Sequence, residues 1–128
     1  MKANELQIGD YVNYRGQIIK VTSLYDKGGS NEVGWSDKES VWVNGRCIEP
    51  IPLTPEILEK NGFVLKEKEM GMYGVNIAPH YTRDDVPFEV FCDGVPFAIW
   101  FKGPVNIEYV HQLQHALRLC GIEKEIIL

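Results

Sequence analysis

The stretch from Ile107 to Cys120 carries an extended helical period, while most of the remaining chain is cut into short runs by turn residues. At about 100° per residue, Tyr109, Val110, Leu113, Ala116, Leu117 and Cys120 fall within one apolar stripe, with Ile107 at its margin. Glu108, His111, Gln112, His115 and Arg118 take the opposite face, and Leu119 sits among them near the end. Asn106 can cap the start, and Gly121 can take the left-handed conformation that stops a helix. A stripe of this width has to be covered. The expectation is a closing helix packed on a sheet, with both histidines outward on a solvated face.

The sheet material is of two kinds. Residues 6–52 read as about five short strands. Tyr11 to Tyr14 leads through the Arg15-Gly16 turn signal into Gln17–Tyr25, a run rich in β-branched residues. If that run is one strand, Ile19, Val21 and Tyr25 share one face, and Ile18 and Leu24 lie on the other. A flexible loop over Asp26–Asn31, a short strand at Val33–Trp35 and a break at Ser36–Glu39 follow. Asn44-Gly45 between Val41-Trp42-Val43 and Arg46-Cys47-Ile48 predicts a two-residue hairpin, whose turn positions need positive φ.

After the Pro50–Leu53 connector, Thr54 caps a short helix, Pro55 suits its first position, Glu56 faces its positive end, and Asn61-Gly62 ends it. Phe63–Lys68 reads as a strand, Met70–Gly74 is ambiguous, and Val75–Ile77 continues as strand. Ala78–Pro87, with two prolines, His80 and Asp84-Asp85, reads as a loop. Phe88–Cys92 and Val95–Lys102 read as paired strands around Asp93-Gly94.

Length and composition fit a soluble globular chain. The 128 residues suit one domain, or two small subdomains sharing a core. Thirteen basic residues against eighteen acidic give a net charge of -5, and no basic run exceeds two residues, which disfavours nucleic acid as a partner. No apolar run approaches the ~18 residues of a membrane span, and the start lacks a signal-peptide core, so a cytoplasmic protein with no membrane partner is expected. Cys47, Cys92 and Cys120 are odd in number and widely spaced, which suits free thiols rather than a disulfide framework or a local zinc knuckle.

Four residues stand out as binding candidates. Trp35 and Trp42 either line a ligand groove on a small barrel or fill its core. His111 and His115, spaced i and i+4 with Glu108 one turn earlier, either form part of a metal site or belong to a solvated face. Three ligands on one helix cannot close a tetrahedron, so no metal and no cofactor are expected. A nucleophile elbow, a phosphate-binding loop and a His-Glu-x-x-His motif are all missing from the sequence. No catalytic residue is assigned.

The segment Ile8-Gly9-Asp10-Tyr11-Val12, followed by a long second strand, resembles the opening of SH3-like barrels. A wider resemblance rests on the start through Val12, the middle from Pro50-Ile51-Pro52-Leu53-Thr54-Pro55 to Asn61-Gly62-Phe63, and Tyr109-Val110-His111-Gln112-Leu113-Gln114-His115-Ala116-Leu117. Together these are similar to a family of uncharacterised small proteins of bacteria and prophages. That resemblance implies a phage or mobile-element association, and no site residue.

The sequence therefore predicts an α+β protein. Residues 1–53 form a small SH3-like β-barrel subdomain. Residues 54–128 form an α+β subdomain of short helix, antiparallel sheet and packed C-terminal helix. The expected function is that of a non-catalytic binding or accessory protein of phage or mobile-element type, with a protein partner and with homo-oligomerisation open. The alternatives are a nucleic-acid-associated module using the barrel and, more remotely, a metal- or thiol-dependent enzyme.

Overall fold

In the computed structural model, which describes residues 1–25, 31–35, 42–66, 79–91, 97–100 and 104–128, a 3-10 turn at Ala3–Glu5 leads to strand β1 (Tyr11–Tyr14). β1 pairs antiparallel with β2 (Gln17–Lys20), with Tyr14 opposite Gln17. The turn between them has Arg15 at φ 49° and Gly16 at φ 81°. Two successive positive φ values match the right-handed twist of a tight hairpin, as the Arg-Gly signal suggested. Next come β3 (Ser23–Tyr25), β4 (Glu32–Gly34) and β5 (Trp42–Asn44), which form a second antiparallel sheet in the order β3-β4-β5. β6 (Ile48–Glu49) returns to the free side of β1 and completes a first sheet, β2-β1-β6.

The chain is an α+β protein with three small antiparallel sheets and a C-terminal helix. No closed SH3-like barrel forms among the described residues. The run Gln17–Tyr25 explains the difference, because it serves two sheets. Val21 N–H donates to Asp10 C=O (2.8 Å), whereas Thr22 N–H donates to Gly34 C=O (2.9 Å). This change of partner shifts the inside–outside alternation. Ile19 and Val21 are buried and Leu24 packs on the same core, while Ile18 and Tyr25 are exposed. One continuous strand would have put Tyr25 with Ile19 and Val21.

The expected Asn44-Gly45 hairpin is also replaced. Asn44 caps a 3-10 turn, Gly45–Cys47, by accepting Arg46 N–H on its side chain (2.9 Å), and β5 and β6 join different sheets. Gly45 is needed for close approach: a Cβ would overlap the Met1 carbonyl oxygen and the Asn31 side chain. The core here is Leu6, Val12, Ile19, Val21, Val33 and Ile48, with Met1, Tyr14, Leu24, Trp35 and Val43 packed against it.

Helix α1 (Pro55–Lys60) follows its sequence signals. Thr54 Oγ1 accepts Ile57 N–H (3.3 Å), Pro55 opens the helix, and Gly62 has φ 82°. Phe63 N–H reaches Leu58 C=O and Gly62 N–H reaches Glu59 C=O, the paired bonds of a glycine-terminated helix. A five-stranded antiparallel sheet follows, made of β7 (Val64–Lys66), β8 (His80–Thr82), β9 (Val90–Phe91), β10 (Phe97–Trp100) and β11 (Pro104–Ile107), each beside the next in sequence. Two expectations change here. His80, assigned to a loop, lies in β8 and is buried. Residues 104–107 pair with β10, so helix α2 runs Val110–Leu119 rather than from 107. Ile107 is buried as the last residue of β11, opposite Phe97, and that pairing takes the residues that would have begun the helix. Asn106 is therefore a strand residue, and the Gln112 side chain instead accepts Tyr109 N–H (3.1 Å) at the helix start. The expected Asp93-Gly94 hairpin and the readings over Met70–Ile77 lie outside the described residues.

The chain divides into two compact units, Met1–Pro52 with Tyr109–His115, and Leu53–Glu108 with Ala116–Leu128. α2 is thus shared between them. Its far end closes as read, with Gly121 at φ 75° and Ile122 N–H donating to Leu117 C=O (3.0 Å). Val110, Leu113, Ala116 and Leu117 are buried and Leu119 is exposed, in agreement with the stripe.

Candidate functional site

The helix face expected to meet solvent is the one that departs most from the wheel. His111 is only 5% exposed and Gln114 6%, so the buried arc is far wider than the apolar stripe. Both lie in the part of α2 that belongs to the first unit, where Gln114 is tied to the segment before β1. That segment turns at Gly9, which has φ 95°, and is closed by Asp10 N–H donating to Gln7 C=O (3.1 Å). The Gln114 amide bonds it on both sides of Asp10: Nε2 donates to Gly9 C=O (3.0 Å) and Oε1 accepts Tyr11 N–H (2.9 Å). One side chain thus satisfies two main-chain groups that β1 leaves over at its start.

Asp10 is fully buried. Its Oδ2 accepts Gln7 N–H (2.8 Å) and lies 2.6 Å from His115 Nε2. A carboxylate only accepts, so Nε2 carries the hydrogen and Nδ1 is the basic nitrogen of His115 in its neutral form. His115 itself is partly exposed, with 23% of its side-chain surface accessible.

His111 lies between two rings. Tyr109 stacks on it at 5.8 Å and 9°, and His115 meets it edge-on at 5.5 Å. Among the described residues its Nδ1 has no hydrogen-bond partner, an uncommon state for a buried ring nitrogen. Burial holds the His111 pKa below the ordinary histidine value of 6.5. Asp10 opposes that shift, His115 adds to it, and Glu5 opposes it more weakly.

The Asp10–His115 pair has the orienting half of an acid–base device: a buried acid fixing an imidazole tautomer. The other half would be a cavity that brings a reacting group to His115. A groove of about 560 Å3 on this unit is lined by Met1, Lys2, Asn4, Glu5, Asn31, Asn44 and Arg46, and it includes none of Asp10, His111 and His115. Among the described residues no group of three or more His, Cys, Asp or Glu side chains is placed to hold a metal.

The tryptophans separate. Trp35 is half-buried, packed on the core with its ring 4.9 Å from that of Tyr14. Trp42, 41% exposed, stands on the outward face of β5 opposite Gly34, which in turn lies opposite Ser23. Its cross-strand neighbours are therefore too small to cover the ring. Tyr25, 45% exposed, stands on the same face, since it and Ser23 are two residues apart on β3. The other face of these strands carries Leu24, Val33 and Val43 into the core. The structure thus brings His111 and His115 together and leaves Trp42 and Tyr25 exposed on one sheet face, while Trp35 packs on the core. Sequence reasoning missed Asp10 as the partner of His115 and Gln114 as the tie to Gly9 and Tyr11. The only trace of that link was a pair of polar residues beside two apolar runs, separated by about 100 positions.

The chain matches no family profile, no curated protein and no solved structure. Among the described residues no helix is long and apolar enough to cross a membrane.

Proposed function

We propose that the protein is a non-catalytic binding or accessory protein of phage or mobile-element type, and that it engages a protein partner through the outward face of the β3-β4-β5 sheet. The observation that carries this reading is the exposure of Trp42 and Tyr25 on one face, with the small residues Gly34 and Ser23 in the cross-strand row of Trp42. Large aromatics with little rotamer entropy to lose are the commonest anchors of protein interfaces. The resemblance of the chain's opening, middle and closing helix to small prophage proteins supports the mobile-element origin. A net charge of -5 weighs against nucleic acid as the partner.

The test is quantitative capture from phage-infected cells with the wild-type protein and with Trp42→Ala. At least one protein should be retained by the wild type and lost by about tenfold or more in the variant, the loss of an aromatic anchor. Equal retention by both proteins would overturn the proposed face. Salt-sensitive retention of DNA or RNA in place of a protein would overturn the choice of partner.

A further inference from the structure

The core does not need an imidazole at position 111. An apolar side chain of similar size would fill the site without leaving a buried nitrogen unpaired, as His111 Nδ1 is. Among the described residues, four side chains act on that imidazole. From its own helix comes His115, with its ring 5.5 Å away, and from the residue before the helix comes the stacked Tyr109 ring. From the segment before β1 comes the buried Asp10 carboxylate, and from the first 3-10 turn comes the more distant, exposed Glu5. Asp10 already takes a bond from His115 and another from Gln7 N–H on the same oxygen. A proton on His111 would place a buried positive charge beside an imidazole already committed to that carboxylate.

We propose that Asp10, His111 and His115 form an acid-sensitive latch, which holds the first half of α2 on the Gln7–Tyr11 segment and releases it when His111 takes up a proton. The cluster, Gln114 and both segments it joins belong to the first unit, so the opening is local to that unit. The inference does not depend on the identity of any binding partner.

The sign follows from proton linkage. Closed, His111 is held below its ordinary affinity by burial; open to water, it returns to about 6.5. The open form therefore binds a proton that the closed form does not. The opening constant rises as pH falls below 6.5, toward about tenfold per pH unit, until the closed form's lower midpoint is reached.

Native-state hydrogen exchange between about pH 7.5 and 4.5, corrected for the intrinsic rate, reads this directly. The reporters are Tyr11 N–H, bonded to Gln114, and Leu113 N–H, bonded to Tyr109 C=O. The controls, in the second unit, are Phe63 N–H, bonded to Leu58 C=O, and Ile127 N–H, bonded to Asn61. In the wild type the reporters should open about tenfold more per unit of acidification below pH 6.5 while the controls stay level. In His111→Leu the reporters should lose that dependence, and His111→Gln serves the same purpose should the leucine fail to fold. Reporters that stay level in the wild type would overturn the latch. A slope that survives in the His111 variant would overturn it too, since the proton would then be taken up elsewhere.

Discussion

Asn61 in the second unit and Asp10 in the first are both buried polar side chains that tie distant segments together, yet they do so with different chemistry. Asn61 ends α1 and holds the C-terminal tail. Its Nδ2 donates to Ile57 C=O (2.7 Å) and Ile127 C=O (2.8 Å), and its Oδ1 accepts Ile127 N–H (2.7 Å). Both donors and an acceptor position of a neutral amide are used, so nothing in the clamp titrates. The Asp10 clamp is built of a carboxylate and an imidazole at 2.6 Å, with a second imidazole beside them whose Nδ1 has no partner. A neutral, satisfied clamp fixes a chain end under all ordinary conditions. A charged one, with a buried base next to it, makes the fixing conditional on pH.

The largest expected effect comes from removing the charge that organises the first unit. Asp10→Ala deletes the acceptor shared by Gln7 N–H and His115 and should cost about 3–5 kcal/mol by urea unfolding, the loss of two hydrogen bonds to a buried charged group. Leu113→Ala, at a fully buried position beside the cluster, should cost about 2–5 kcal/mol through the cavity it leaves, at any pH. Asn61→Ala should cost about 2–3 kcal/mol, because it removes three hydrogen bonds, one to Ile57 and two to Ile127, and the loss should be the same at pH 7 and pH 5. A loss in Asn61→Ala that grew with acid would blur the distinction between the two clamps.

Wild-type stability should itself decline on acidification. His111 has a folded pKa below 6.5, so its contribution is constant above that value and is lost as pH falls from 6.5 toward the folded pKa. His111→Leu should flatten this part of a urea-midpoint profile measured from neutral to mildly acid pH. The smallest effect belongs to Trp42→Ala, at about 1 kcal/mol or less, since the ring is 41% exposed and stands clear of the core. A larger loss would mean that Trp42 supports the fold and is not free to meet a partner.

The parts of this fold that were legible in the sequence are those in which a residue acts on its near neighbours. Arg15-Gly16 makes its turn, Thr54-Pro55 starts a helix, Gly62 and Gly121 end helices, and Leu113 and Leu117 face inward. Where a distant segment decides, the local pattern misleads. Asn44-Gly45 has the composition of a hairpin, but Gly45 is there because Met1 and Asn31 crowd it. Gln17–Tyr25 has one alternation in sequence and two in space, because Val21 and Thr22 bond to different segments. The candidate site shows the same limit. His111 sits on the polar side of the helical wheel and is nevertheless buried, and the polar Gln114 is buried because it bonds Gly9 and Tyr11. A wheel reports which residues are polar; it carries no information about a segment a hundred residues earlier that can satisfy them.

The most direct test of the contrast is a titration of the His111 ring by two-dimensional NMR, assigned through the His111→Leu spectrum. The expected result is a midpoint below 6.5, accompanied by loss of the Tyr11 and Leu113 amide protection and by no change at Ile127. A midpoint at or above 6.5, with the protection of Tyr11 unchanged through it, would contradict the account, because His111 would then be an ordinary solvated histidine and the first clamp as indifferent to acid as the second.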